Sequence, residues 1–119
     1  MRNLNILLVD DDLLLHRIQS AFINGFGHQA YAVAHAEDAI TALKNQSFDL
    51  VLMDLIMPDI NGFEMTRRLR SEGFKLPIVA LSGNDTPADR QQAQQAGMNG
   101  YLTKPLRLDA FNQVINNLF

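Results

Sequence analysis

Short apolar runs alternate with stretches of helical periodicity from one end of the chain to the other. Asn5 to Val9 (NILLV) is a compact apolar run followed at once by acids. Leu14, Ile18, Ala21, Phe22 and Gly25 then recur at helical spacing, with Gly25 and Gly27 placed to stop that helix. Gln29 to Ala34 reads as a weaker strand, and Ala36, Ala39, Ile40 and Leu43 form one face of a second helix. Leu50 to Met53 (LVLM) is continuously apolar and ends at Asp54, the pattern of a strand buried on both faces. Pro58, Asn61 and Gly62 break the chain before a helix carrying Met65 and Leu69. Pro77 to Leu81 (PIVAL) predicts a fourth strand. Thr86 and Pro87 suit the N-cap and first position of a helix that Gly97 closes, with Ala88, Ala93 and Ala96 facing inward. Tyr101 to Thr103 is a brief fifth strand, and a last helix offers Leu108, Phe111, Ile115 and Leu118 to the core.

Strict alternation of strand and helix predicts a parallel sheet between two helical layers, joined by right-handed crossovers. Open sheets of this kind bind ligands beyond the carboxyl ends of their strands. The first run ends in Asp10, Asp11 and Asp12, the third in Asp54, the fourth in Ser82 and the fifth in Lys104. Every strand end but the second therefore delivers a polar group to one edge. Asp12 also suits a helix N-cap, where an acid meets free backbone amides.

Composition narrows the classes. The 119 residues fit one domain, 1–119, with no repeat or linker. The absence of cysteine excludes disulfides, thiolate metal sites and a cysteine nucleophile. A net charge of -3 without a basic run argues against direct nucleic-acid binding. Apolar stretches are too short to cross a bilayer, and the start lacks the pattern of a secretion signal, so a cytoplasmic setting without membrane contact is expected. His16, His28 and His35 show no metal-ligand spacing and are expected at the surface. The helix bearing Gln91, Gln92, Gln94 and Gln95 presents little apolar surface and is a candidate moving part.

Carboxylates held together raise one another's pKa unless a cation intervenes. An oxygen-only donor set favours a hard ion, and Mg²⁺ is the usual one. Such an ion, with a nucleophilic aspartate, a hydroxyl and a lysine, equips a site for phosphoryl transfer by positioning and electrostatics.

Four segments carry a resemblance: Leu8-Val9-Asp10-Asp11, Leu52 through Gly62 (LMDLIMPDING), Ala80-Leu81-Ser82-Gly83, and Ala96 through Pro105 (AGMNGYLTKP). In order and spacing the chain resembles the receiver domains of two-component response regulators, including the single-domain chemotaxis type. The resemblance implies a flavodoxin-like, doubly wound five-stranded parallel sheet of order 2-1-3-4-5 with five helices. It implies Asp54 as phosphoacceptor, and Mg²⁺ held by Asp10, Asp11, Asp54 and the Ile56 backbone carbonyl. Lys104 would be the ion-pair partner of the phosphoryl group, and Ser82 and Tyr101 the coupled switch residues. Lys104-Pro105 matches the family's cis peptide. Ser82, Gly83 and Asn61 stand where Thr, Ala and Asp are commoner. Ile56 and Asn84 occupy positions that tune phosphoryl lifetime in that family, and an apolar Ile56 predicts a long-lived acyl phosphate.

The resemblance further implies a signalling switch rather than an enzyme, catalysing only its own phosphorylation and slow autodephosphorylation. Phosphorylation would shift a two-state equilibrium and remodel the surface of the fourth helix, fifth strand and fifth helix. The phosphodonor would be a phosphohistidine on a sensor histidine kinase or histidine phosphotransfer domain. A downstream protein target and a phosphorylation-dependent homodimer are compatible, as is an origin within a hybrid kinase. The alternative is a haloacid-dehalogenase-like phosphohydrolase with Asp10 as nucleophile, although Leu14 stands where Thr or Val belongs. A docking module that is never phosphorylated is a third reading, opposed by Asp11, Asp54 and Lys104.

Overall fold

The computed structural model describes residues 3–57 and 60–119. The chain break expected at Pro58, and Asp59 in the quoted motif, lie outside the described residues. Ten elements alternate without exception: β1 (Asn5–Val9), α1 (Leu13–Gly25), β2 (Gln29–Val33), α2 (Ala36–Asn45), β3 (Leu50–Asp54), α3 (Gly62–Ser71), β4 (Ile78–Ser82), α4 (Pro87–Ala96), β5 (Gly100–Thr103) and α5 (Leu108–Leu118). The sheet order is β2-β1-β3-β4-β5, every pairing parallel, as expected.

Each strand separates two apolar layers. Leu7, Val9, Val51, Met53, Ile78 and Ala80 join Ala39, Ile40, Met65, Leu69 and Ala93 of α2, α3 and α4 on one face. Ile6, Leu8, Leu50, Leu52, Val79 and Leu81 join Ile23 of α1 and Phe111 and Ile115 of α5 on the other. This two-sided burial explains why β3 and β4 read as unbroken apolar runs rather than alternating ones.

Predicted boundaries shift by one or two residues. Asp54 and Ser82 are the last residues of their strands, and Gly100 joins β5. Three corrections concern faces. The expected apolar row of α1 points outward: Leu14 is 68% exposed, and Ile18 and Phe22 are 37% exposed. Gln19 and Ile23 are its buried residues. Apolar side chains flank this helix on both sides, so spacing alone could not choose the inner one. In α4 only Ala93 and Ala96 are buried, while Ala88 lies in the exposed first turn. In α5 Phe111 and Ile115 are buried but Leu108 is exposed.

Two local readings also change. Asn61 stands extended just ahead of α3, as expected, and caps it by accepting from the Glu64 N–H at 2.9 Å, but Gly62 is the first residue of the helix rather than a breaker before it. His28 is not at the surface. It is buried, accepts the Leu4 N–H on Nδ1 at 3.0 Å and lies 5.4 Å from the Phe111 ring. The Thr86 cap, accepting from the Asp89 N–H at 3.1 Å, and the left-handed Gly97 at the end of α4 are as expected.

Candidate phosphoacceptor site

The side-chain alternation along each strand prepares the site. Leu8, Leu52 and Leu102 all belong to the apolar layer under α1 and α5. Two residues further along, the same parity falls to Asp10, Asp54 and Lys104. Parallel pairing with aligned ends, Leu8 beside Leu52 and Leu81 beside Leu102, then brings those three positions to one edge.

There the groups meet. Lys104 Nζ lies 3.1 Å from Asp10 Oδ2 and 3.2 Å from Asp54 Oδ1. Asp11 adds a half-buried carboxylate, and one oxygen from each of Asp10, Asp11 and Asp54 lies within 4.8 Å of the others. Asp10 is fully buried, and its Oδ1 accepts the Asp12 N–H at 3.0 Å. Asp12 itself caps α1, accepting from the Leu14 and Leu15 amides at 3.0 and 3.2 Å, the role expected for it. Asp54 Oδ1 accepts the Ile56 N–H at 3.3 Å.

Gly62 lets α3 press against the end of β3. Its N–H donates to Leu55 O at 3.0 Å, and a Cβ there would collide with Asp54 O and sit 2.9 Å from Leu55 Cα. On the other flank, the Lys104 N–H donates to Ser82 O at 2.7 Å, and the Lys104-Pro105 peptide is cis. Ser82 and Tyr101 are bridged by one backbone residue. Ser82 Oγ accepts the Asn84 N–H at 3.1 Å, while the Tyr101 hydroxyl donates to Asn84 O at 2.7 Å. The Arg90 guanidinium covers the Tyr101 ring at 4.9 Å and pairs with Asp85.

Burial pushes the Asp54 carboxyl up to about 6; Lys104 opposes the rise and the Asp10 charge adds to it. Burial works against the Lys104 ammonium, but Asp54 and Asp10 outweigh it and hold its pKa above the ordinary lysine value. The site thus contains more negative charge than one lysine neutralises. Among the described residues the buried Asp10 Oδ2 is met by the Lys104 ammonium at 3.1 Å and by no backbone amide. An oxygen-only cluster with surplus negative charge fits a hard divalent cation such as Mg²⁺.

Gln19 is the residue of this neighbourhood that the sequence did not single out. It is buried in α1, and its carboxamide accepts the Leu106 N–H just beyond Lys104. A polar residue beside Ile18 carries no local sign that the chain will bury it.

A five-stranded parallel sheet whose strand tips gather aspartates around a lysine defines a class of phosphoacceptor folds. The family model for the response regulator receiver domain matches residues 6–116, and the chain belongs to that family. It is 33% identical over 110 residues to sensor histidine kinase RcsC of Salmonella typhi, covering 92% of this chain but 12% of that protein. The receiver domain of sensor histidine kinase PA1611 from Pseudomonas aeruginosa PAO1, solved with magnesium coordinated in its active-site cleft, is 31% identical with a TM-score of 0.84 and 98% of each chain covered. The chemotaxis protein CheY4 of Vibrio cholerae shares the fold, with a TM-score of 0.85 at 23% identity, covering 99% of this chain and all of that one. The chain is a receiver domain of two-component signalling, a phosphoacceptor switch, and the phosphohydrolase alternative finds no support. Among the described residues no helix is long and apolar enough to cross a membrane.

Proposed function

We propose that residues 1–119 form one receiver domain that takes a phosphoryl group from a phosphohistidine onto Asp54. The observation that carries this reading is the convergence of the Asp10, Asp11 and Asp54 carboxylates with the Lys104 ammonium lying against two of them. An Asp54 oxygen attacks phosphorus as the P–N bond breaks, and the imidazole leaves with the bonding pair. Lys104, already held between two carboxylates, pairs with the transferred oxygens. Ser82 exchanges its backbone partner Asn84 for a phosphoryl oxygen. Asp10, Asp11, Asp54 and the Ile56 carbonyl would hold Mg²⁺, which when bound neutralises charge on the phosphoryl group.

The switch runs through Asn84. Drawing Ser82 toward the phosphoryl group disturbs the backbone segment that also receives the Tyr101 hydroxyl, and so reaches α4, β5 and α5. Partners are a sensor histidine kinase or histidine phosphotransfer domain and a protein target on that surface, in the cytoplasm, with pairing of two phosphorylated copies there as a further outcome. The domain's chemistry is limited to its own phosphorylation and slow autodephosphorylation. Ile56, 73% exposed beside the carboxylates, would hinder the approach of hydrolytic water. Ile56→Asn should therefore shorten the acyl-phosphate lifetime, and an unchanged hydrolysis rate would remove that role. The function itself is tested with acetyl phosphate and Mg²⁺ followed by mass analysis. One phosphoryl adduct is expected on the wild type and none on Asp54→Asn; an adduct on Asp10 would overturn the assignment.

A further inference from the structure

We propose that Gln19 is a positioning residue for Lys104, tying the turn that carries the lysine to α1. This inference rests on the reading of Lys104 given above. The turn Lys104-Pro105-Leu106 contains only two backbone donors, because Pro105 has no N–H. The Lys104 amide donates to Ser82 O at 2.7 Å, which ties the turn to β4. The Leu106 amide donates to Gln19 Oε1 at 3.3 Å, which ties it to α1 across 87 residues of sequence. Both hydrogen-bonding handles of the turn are thus used, and one of them is a side chain.

The orientation of the carboxamide follows from that bond. An N–H donor at Leu106 requires the oxygen on its side, so the amino group points elsewhere. Among the described residues Gln19 Nε2, which is buried, has no hydrogen-bond partner. The residue itself is fully buried, on the same face of the sheet as the apolar cluster of Leu8, Ile23, Leu102 and Phe111. An unpartnered amide in such surroundings is a poor choice for packing, and a leucine or methionine would serve the core better. What the glutamine adds is the acceptor for Leu106.

The tether matters because of what lies at each end. α1 begins at the Asp12 cap, and the Asp12 N–H is held by Asp10 Oδ1 at 3.0 Å. Leu106 lies two residues past Lys104, whose ammonium touches Asp10 and Asp54. Gln19 therefore closes a loop of contacts from Asp10 through α1 to the lysine backbone, so that lysine and acid keep a common frame. Small displacements of a charge facing a transferred group have large kinetic effects.

The test measures phosphorylation by acetyl phosphate at saturating Mg²⁺, with melting temperature recorded in parallel. Gln19→Met, which keeps the volume and removes the acceptor, should slow phosphorylation about tenfold, the lower end of losses seen when supporting contacts around a site are removed. In a Lys104→Met background, Gln19→Met should cause no further loss, since the lysine it serves is gone. A wild-type rate in Gln19→Met, or an equal slowing with and without Lys104, would overturn the proposal; a change confined to melting temperature would reduce Gln19 to a packing residue. The underlying reading fails separately, if Asp54→Asn still takes the phosphoryl group.

Discussion

Replacing Asp54 by asparagine should stabilise the metal-free protein. The Asp54 carboxyl is 5% exposed and stands beside Asp10, and its pKa is raised from 3.8 to about 6. That displacement is about two pH units, and each unit corresponds to about 1.4 kcal/mol between protonation states, so the ionised side chain costs the fold up to about 3 kcal/mol. The Lys104 contact at 3.2 Å is already counted in that figure, and asparagine keeps the shape of the neutral side chain. The stabilisation is therefore up to about 3 kcal/mol, or up to about 12 °C in melting temperature for a domain of this size. The sign with pH is fixed. Between pH 3.8 and about 6 the native state binds more protons than the unfolded chain, so wild-type stability falls as pH rises through that window. The advantage of Asp54→Asn should accordingly be full at pH 7.5 and vanish near pH 4. Thermal melting by circular dichroism in EDTA reads both points. Adding Mg²⁺ should raise the wild-type midpoint and raise that of the variant far less, because binding to the native state stabilises by mass action. A variant that melts at or below the wild type at pH 7.5 in EDTA, or an advantage independent of pH, would refute the picture of crowded carboxylates awaiting a cation.

Arg70→Met should lower the melting temperature by about 10 °C, a loss of about 3 kcal/mol. The guanidinium donates to the Gly97, Phe74 and Leu76 carbonyls and to Asn99 Oδ1, which also accepts the Ile78 N–H, so one side chain ties the end of α3 to the starts of β4 and β5. Gly62→Ala should cost about 2–3 kcal/mol by forcing α3 away from the end of β3, and should weaken Mg²⁺-dependent stabilisation as Asp54 shifts. Burial lowers the His28 pKa below 6.5, so this residue withdraws stability as pH falls below that value. Imidazole NMR should show the Nε2–H tautomer and a midpoint under 6.5; a midpoint at or above 6.5 would contradict its burial.

Much of this protein was legible from local pattern. Apolar runs of four or five residues separated by helical segments were enough for a parallel α/β sheet, because LVLM and PIVAL are too short for helices and unbroken as strands buried on both faces are. The polar residues at the strand ends also marked the edge where Asp10, Asp11, Asp54 and Lys104 meet, since Asp54 closes an apolar strand where a charge is costly. The inner face of α1 could not be chosen that way. Leu14, Ile18 and Phe22 compete with Leu15 and Ile23 for the core, and only the packing of α1 against the sheet and α5 decided that the first row faces solvent. For the same reason Gln19 escaped notice and His28 was expected at the surface: their partners, Leu106 and Leu4, lie 87 and 24 residues away in sequence. Periodicity reports how each segment is made, whereas which face it buries, and which distant amide a side chain must satisfy, arises when segments compete for one interior.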